Sequence, residues 1–235
     1  MKVRLAVSTE APPARPDFGT ATGVQILATE HWSLLAHRSL TYTESLARVN
    51  IFLAILSGGM VALALIAQVD HFGRTFTMIA IPVLLVVLFT GLGTISRLVA
   101  LNRDDFRWVL GMNRLRHAYV QLYPELEPYF ITGFSDDLGG ALRTLGIDPG
   151  ASRQLGSVLR HLPNTLPGML STIVGAVAAA IAALIGQAIG LPFLTIALIA
   201  LASFLVILGL LAVRGRRSFR MLGPSLEPRF PSPGK

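Results

Sequence analysis

The residues best suited to chemistry in this sequence are three ionisable side chains at regular spacing. Glu30, His37 and Glu44 fall seven residues apart, so on a helix they share one face. Carboxylate and histidine ligands of this kind hold metal ions in some helical proteins. Ligands one heptad apart are about 10.5 Å apart along the helix axis, however, which is too far for one ion without a second helix. The spacing therefore predicts a solvated polar face and no metal site.

Two further carboxylates, Glu125 and Glu127, stand in a turn bounded by Pro124 and Pro128. Paired carboxylates can act as general acid and base, but alternate positions in such a turn give no defined catalytic geometry. The sequence has no cysteine, phosphate-binding glycine-rich loop, nucleophile elbow or zinc helix motif. These observations predict a protein that is not an enzyme and that has no cofactor.

The composition points to a membrane. Of the 235 residues, 52% are apolar and only 14% are charged, and the mean hydropathy is +0.61. Soluble domains normally carry about a quarter charged residues. Four stretches without any Asp, Glu, Lys, Arg or His are each long enough to cross a bilayer as a helix; they are residues 50–69, 76–96, 166–189 and 192–213. The predicted fold is an all-α polytopic membrane protein with four transmembrane helices in two hairpins, plus cytoplasmic amphipathic helices.

The charges predict the orientation. Nineteen of the twenty Lys and Arg residues lie before the first span, between the second and third, or after the fourth. By the positive-inside rule, both termini and the middle segment are cytoplasmic, and we expect a bacterial inner (plasma) membrane location. The predicted segments are a flexible cytoplasmic leader (1–22), a cytoplasmic helix (23–49), the first transmembrane hairpin (50–96), a cytoplasmic helical segment (97–165), the second hairpin (166–213) and a basic cytoplasmic tail (214–235).

Small residues at four-residue spacing indicate where helices pack closely, because little side-chain bulk separates their backbones. Two such stripes occur, one in the first span and one in the third. Their members are Ala54, Gly58 and Ala62, and Ser171, Gly175, Ala179 and Ala183. The spacing is equally consistent with contacts within one chain and between copies. In a homo-oligomer, we expect the third-span stripe to form the interface.

The second span continues into an amphipathic helix with an apolar seam. The seam residues are Leu101, Trp108, Met112, Leu115, Tyr119 and Leu122. They are expected to pack on the upstream helix or on another subunit. A basic ridge on the opposite side is expected to form ion pairs within the segment and not to bind nucleic acid. A second basic cluster follows the last span and predicts an anchor to anionic lipid; it comprises Arg214, Arg216, Arg217 and Arg220.

Two runs of sequence carry a resemblance. They are ILATEHWSLLAHRSLTYTESLARVNIFLAILSGGMVALALIAQ and GMNRLRHAYVQLYPELEPYF. Over about residues 26–130 the chain resembles an uncharacterised family of bacterial multi-pass integral membrane proteins. Its layout of cytoplasmic helix, membrane hairpin and second cytoplasmic helix is similar to the two-helix pore-forming effector modules of bacterial defence systems. The additional C-terminal hairpin departs from that layout.

Two functions follow as hypotheses. The first is a small oligomeric pore-like or membrane-effector protein, favoured by the charge-free spans and the small-residue stripes. The alternative is a non-conducting membrane scaffold or accessory subunit that recruits a cytoplasmic partner. The expected partners are the lipid bilayer, further copies of the chain and a cytoplasmic protein, with no nucleic acid.

Overall fold

The structure, a computed structural model, describes residues 20–146, 165–220 and 227–232. Every regular element in these ranges is helical, which confirms the all-α prediction. The elements are α1 (Ala21–Asp70), α2 (Arg74–Leu122), a 3-10 helix (Pro124–Tyr129), α3 (Leu138–Thr144), α4 (Leu166–Ala188) and α5 (Phe193–Arg220). Most of the predicted leader, residues 1–19, lies outside the described residues.

Four helices, α1, α2, α4 and α5, are long and apolar enough to cross a membrane, as predicted. The helices α1 and α2 are 50 and 49 residues long, and each spans roughly 75 Å, more than twice the hydrocarbon thickness of a bilayer. The predicted cytoplasmic helix and first span are thus one continuous helix. Ionisable residues concentrate at the start of α1 and the end of α2, and we call these polar parts, residues 21–49 and 97–122, the stalk.

The helices α1 and α2 run antiparallel, joined by a turn at residues 71–73. Arg38 bonds Asp105 within the stalk, and Glu44 bonds Arg97 closer to the apolar parts. Deeper along the pair, an ideal Cβ on Gly59 would lie 3.4 Å from the side chain of Val83. In these three pairs, the residue number on α2 decreases as the residue number on α1 increases. The two helices therefore keep the same antiparallel register in their polar and apolar parts.

The turn between α1 and α2 is held by local geometry. His71 and Phe72 both adopt left-handed backbone conformations, with φ of 49° and 62°. The N–H of His71 donates to the carbonyl of Ala67, and the carboxylate of Asp70 accepts from the N–H of Phe76 at 2.6 Å. The Asp70 carboxylate thus satisfies one of the free N–H groups at the start of α2.

The helix α2 is the central element of the apolar core. Buried side chains from α1, α2 and α4 form one cluster, which includes Phe52, Val87, Leu98, Leu170 and Val174. The helix α4 packs in turn against α5. None of the most apolar stretch of α5 is buried, so α5 lies at the outside of the chain.

Gly91 lies where α1, α2 and α4 meet. An ideal Cβ at this position would be 2.5 Å from Cγ2 of Val174 and 2.9 Å from Cε2 of Phe52. Both distances are shorter than any ordinary carbon contact. Glycine therefore allows α2 to approach its two neighbours at once.

We expect Gly91→Ala to destabilise the fold by about 1–3 kcal/mol, because the added methyl overpacks the junction. The matched control is Gly93→Ala, since a Cβ on Gly93 meets nothing within 4 Å. That substitution should be neutral or stabilise α2 by up to about 1 kcal/mol through helix propensity. Thermal unfolding of both variants in mild detergent measures the difference, and equal effects would contradict the packing described here.

Candidate functional site

Ion pairs join the two helices of the stalk. The Glu44 carboxylate accepts from Nε and Nη2 of Arg97 at 2.9 and 3.0 Å, and from Nε of Arg48 at 2.8 Å. These bonds, foremost the one from Arg97, lower the pKa of Glu44 to about 2. With the Arg38–Asp105 pair at 2.8 Å, they give the polar parts of α1 and α2 a fixed register.

The Glu30–His37–Glu44 stripe is divided among separate contacts. The His37 ring centroid is 5.1 Å from that of Trp108, and its Nδ1 lies 2.8 Å from the carbonyl of Ser33. Glu44 is engaged with the two arginines. In the described ranges, no group of three or more His, Cys, Asp or Glu residues is placed to hold a metal ion. Glu125 and Glu127 are exposed on the 3-10 helix.

The amphipathic seam of α2 contacts α1. Leu101 and Met112 are buried, and the other four seam residues are half-buried. Near the seam, Leu34 of α1 lies over Gly111, where an ideal Cβ would be 3.0 Å from Cδ1 of Leu34. The ring of Tyr119 stacks on that of His31 with centroids 6.2 Å apart. The sequence leaves open whether the seam packs on the upstream helix or on another subunit. In the structure, the upstream helix α1 covers the seam.

The two small-residue stripes have different surroundings. Gly175 is buried, and an ideal Cβ on it would lie 3.0 Å from the ring of Phe204 in α5. The third-span stripe therefore serves a contact within the chain at this position. Ala54, Gly58 and Ala62 are all exposed, and a Cβ on Gly58 meets nothing within 4 Å. The first-span stripe is therefore open, meaning that its residues are exposed on the surface of the chain.

A second open surface lies on the stalk. Six large apolar side chains are exposed on the stalk part of α1. Four of them, exposed by 40–71%, fall within an arc of about 80° on the helix, and Ile26 and Leu40 lie outside it. We call these residues the apolar stripe: Trp32, Leu35, Tyr42 and Leu46. Near Trp32 a groove at the tip of the stalk is lined by Val24, Ala28 and Tyr123 among others.

The predicted lipid anchor lies on the last turns of α5, which extends beyond the predicted span to Arg220. Arg214, Arg216 and Arg217 are exposed there. An anchor to anionic lipid stays a prediction for this cluster.

The most extensively bonded polar site lies on the opposite side of α2 from the seam. Asn113 is fully buried; its Nδ2 donates to the carbonyl of Ser135 at 2.9 Å, and its Oδ1 accepts from Thr144 at 2.9 Å. These bonds fix a loop and α3 against α2. Gly140 makes this possible, because an added Cβ would collide with the carbonyl of Ser135. We call residues 133–145 the platform.

Asp136 of the platform is buried and receives a segment from the far end of the chain. Its carboxylate accepts from Nε of Arg114 at 2.6 Å and from the backbone N–H groups of Arg229 and Phe230 at 2.9 and 2.8 Å. The N–H of Asp136 donates in return to the carbonyl of Phe230 at 3.1 Å. A second guanidinium nitrogen of Arg114 donates to the carbonyl of Glu227 at 3.2 Å.

Asp137 and His117 complete this contact, which we call the latch, between the platform side of α2 and residues 227–232. One oxygen of Asp137 accepts from the N–H of Ser232 at 2.9 Å. The other accepts from the Ser232 hydroxyl at 3.1 Å and caps α3 through the N–H of Gly140 at 2.7 Å. The rings of His117 and Phe230 are stacked, with centroids 4.1 Å apart and planes 19° from parallel.

Two opposing effects act on the pKa of each latch carboxylate. Burial raises the pKa of Asp136, but the hydrogen bonds from Arg229, Arg114 and Phe230 outweigh it, and the net pKa is lowered. Burial also raises the pKa of Asp137, and hydrogen bonds from Gly140 and Ser232 again produce a net lowering. Both carboxylates are therefore ionised at neutral pH and bind the segment as anions.

The sequence predicts only a basic tail for residues 227–232, and none of its patterns links Asp136 or Asp137 to that segment. One signal is present: Pro228 and Pro231 flank Arg229 and Phe230, and proline favours an extended backbone in the residue before it. The ion pair between Arg114 and Asp136 agrees with the predicted pairing of the basic ridge with acids of the same segment.

No family model, curated protein or solved structure matches this chain. Its function is therefore inferred from its own geometry.

We expect Asp136→Asn to destabilise the latch by about 1.5–3 kcal/mol at pH 7, because it removes a charged acceptor that receives three hydrogen bonds. The folded-state pKa of Asp136 lies below its usual value, so its stabilisation is present above about pH 4 and is lost as the pH falls further. The difference in melting temperature between wild type and Asp136→Asn should be constant from pH 8 to 5. It should then shrink below pH 4, and a difference that persists or grows there would contradict this account.

Proposed function

We propose that the protein is a non-conducting membrane scaffold whose stalk recruits a cytoplasmic protein. The observation that carries this proposal is the apolar stripe on a helix pair that projects roughly 40 Å beyond the apolar parts of the chain. Exposed apolar patches of soluble surfaces commonly mark sites of protein interaction. The predicted topology puts the stalk in the cytoplasm.

The stripe has the pattern of a helix-binding surface. Its members are spaced by three, seven and four residues, so they form one line along α1. None of the acidic or basic residues in 21–49 falls within its arc. The fitting partner is an amphipathic helix with an uncharged aliphatic face, which would bind by burying that face. Trp32 and Tyr42 are of the residue types that contribute most to binding energy at interfaces.

The rigidity of the stalk supports the same function. The Glu44–Arg97 and Arg38–Asp105 pairs link α1 to α2, and α2 packs on the face of α1 next to the stripe. A preorganised surface loses little conformational entropy when a partner binds. The stripe is therefore presented on a fixed element and at a fixed height above the apolar parts.

The interior of a single chain also favours a non-conducting role. In the described apolar parts, hydroxyls such as those of Thr90, Thr94 and Ser171 donate to carbonyls one turn earlier in their own helices. The core between α1, α2 and α4 consists of aliphatic and aromatic side chains. Within the described residues, a single copy thus offers ions no row of polar groups to replace their hydration.

Site-specific photo-crosslinking in native membranes tests the scaffold function. Crosslinkers at positions 35 and 42 lie on the stripe and should give one shared product of defined mass. Crosslinkers at Leu40 and Ala47, which lie about 120° and 100° around α1 from the centre of the stripe, are exposed matched controls and should not give that product. Trp32→Ala should reduce the product several-fold. Equal products from all four positions, or none, would contradict a stripe-specific partner.

A second candidate function is an oligomeric pore, and the open first-span stripe favours it. Ala54, Gly58 and Ala62 are exposed and would let an α1 helix of another copy approach closely. In such an oligomer, the polar pathway for ions would have to lie between copies of the chain.

The pore candidate predicts that Gly58→Leu abolishes oligomers and conductance in planar bilayers while leaving the melting temperature nearly unchanged. The reason is that a side chain at Gly58 meets no atom of its own chain within 4 Å. Gly209→Leu, at an equally open position of α5, controls for added apolar bulk. A purified wild-type protein that is monomeric and never conducts would exclude this candidate and leave the scaffold function standing.

A further inference from the structure

The latch is a binding site for a short peptide segment that bends at residues 229 and 230. Its contacts with residues 227–232 use three backbone N–H groups, two backbone carbonyls, one aromatic ring and one hydroxyl, supplied by Glu227, Arg229, Phe230 and Ser232. On the other side, the groups are the Asp136 and Asp137 carboxylates, the backbone N–H of Asp136, the Arg114 guanidinium and the His117 ring. Specific peptide sites combine backbone hydrogen bonds with one or two side-chain contacts in this way.

We propose that this site also binds the C-terminal segment of a second copy of the chain, so that copies in one membrane exchange their segments. The contacts within a chain and between chains would be the same, and exchange of an identical element costs little. The ligand is residues 227–232 of the second copy. It is complementary to the site because it is identical to the segment that the latch binds within one chain. The scaffold function is not required for this exchange, because the latch and the apolar stripe share no residue.

Insertion in one membrane would bring the sites and segments of different copies into positions that suit this exchange. Copies inserted with the same topology hold their platforms and C-terminal segments at the same height, so exchange needs only lateral approach. A tethered segment has an effective concentration of about millimolar for its own site, so a sparse copy keeps its own segment bound. Exchange therefore increases with the density of copies in the membrane.

The structure also defines which side chains matter for recognition. Phe230 contacts His117 by stacking, and Ser232 contacts Asp137 through both its N–H and its hydroxyl. Arg229 contributes its N–H, while its side chain is exposed. Ile131→Ala, at an exposed residue outside the latch, should leave exchange unchanged, whereas Phe230→Ala should weaken it several-fold.

Disulfide trapping tests the exchange in the full chain, which has no cysteine of its own. An ideal Cβ at Gly139 would lie 3.8 Å from Oγ of Ser232, so cysteines at these positions are within disulfide reach after a small adjustment. Two differently tagged full-length copies, one with Gly139→Cys and one with Ser232→Cys, are co-expressed and oxidised in native membranes. A chain with both substitutions reports the contact within one copy, and Glu125→Cys paired with Ser232→Cys controls for random collision.

The expected result is a disulfide-linked heterodimer of the two singly substituted copies, at least several-fold above the Glu125→Cys control and increasing with expression level. Adding Ile131→Ala should not reduce it, and adding Phe230→Ala should. If the doubly substituted chain crosslinks internally but the mixed copies do not crosslink, the segment stays in its own chain and the proposal is overturned. Failure of the doubly substituted chain to crosslink would overturn it as well, since the latch itself would then be absent.

Discussion

The structure depends on one helix, α2, which packs against its neighbours along both its apolar and its polar part. Its apolar part is wedged between α1 and α4, with Gly91 at the closest approach. Its polar part keeps the same register with α1 through Arg97 and Asp105 and carries the platform on the other side. Because no break separates the two parts, a shift of the apolar contacts is transmitted rigidly to the stalk. Helices continuous across an interface couple the two environments in this way.

A single buried carboxylate forms the second organising feature. Asp136 is desolvated by the platform, and a buried carboxylate is stable only with hydrogen-bond donors around it. Arg114 supplies one donor and the segment at 229–230 supplies two. The latch therefore ties the residues that follow α5 to α2, and it closes a loop that includes α4 and α5. The second pair of membrane helices is thus bound to the first both within the apolar core and outside it.

The elements were predictable from the sequence, and the contacts between distant elements were not. The four apolar parts were predictable because each is a long stretch without ionisable residues. The seam of α2 was predictable from the helical periodicity of its apolar residues, of which Leu101 and Met112 are buried. Gly58 and Gly175 have the same local spacing signal, yet one is open and the other lies against Phe204, because only the fold decides which face meets a neighbour. Asp136 and Phe230 are 94 residues apart, and hydrophobic pattern carries no information on such a polar pairing.

The latch also imposes an order on biosynthesis. Asp136 leaves the ribosome 93 residues before Arg229, and within that interval α4 and α5 are made and enter the bilayer. During this time the Asp136 carboxylate lacks two of its donors and must stay hydrated, so the platform cannot close on it. The platform therefore matures only after the last membrane helix has been inserted. A chain that ends before residue 227 would leave the Asp136 carboxylate without two of its three donors.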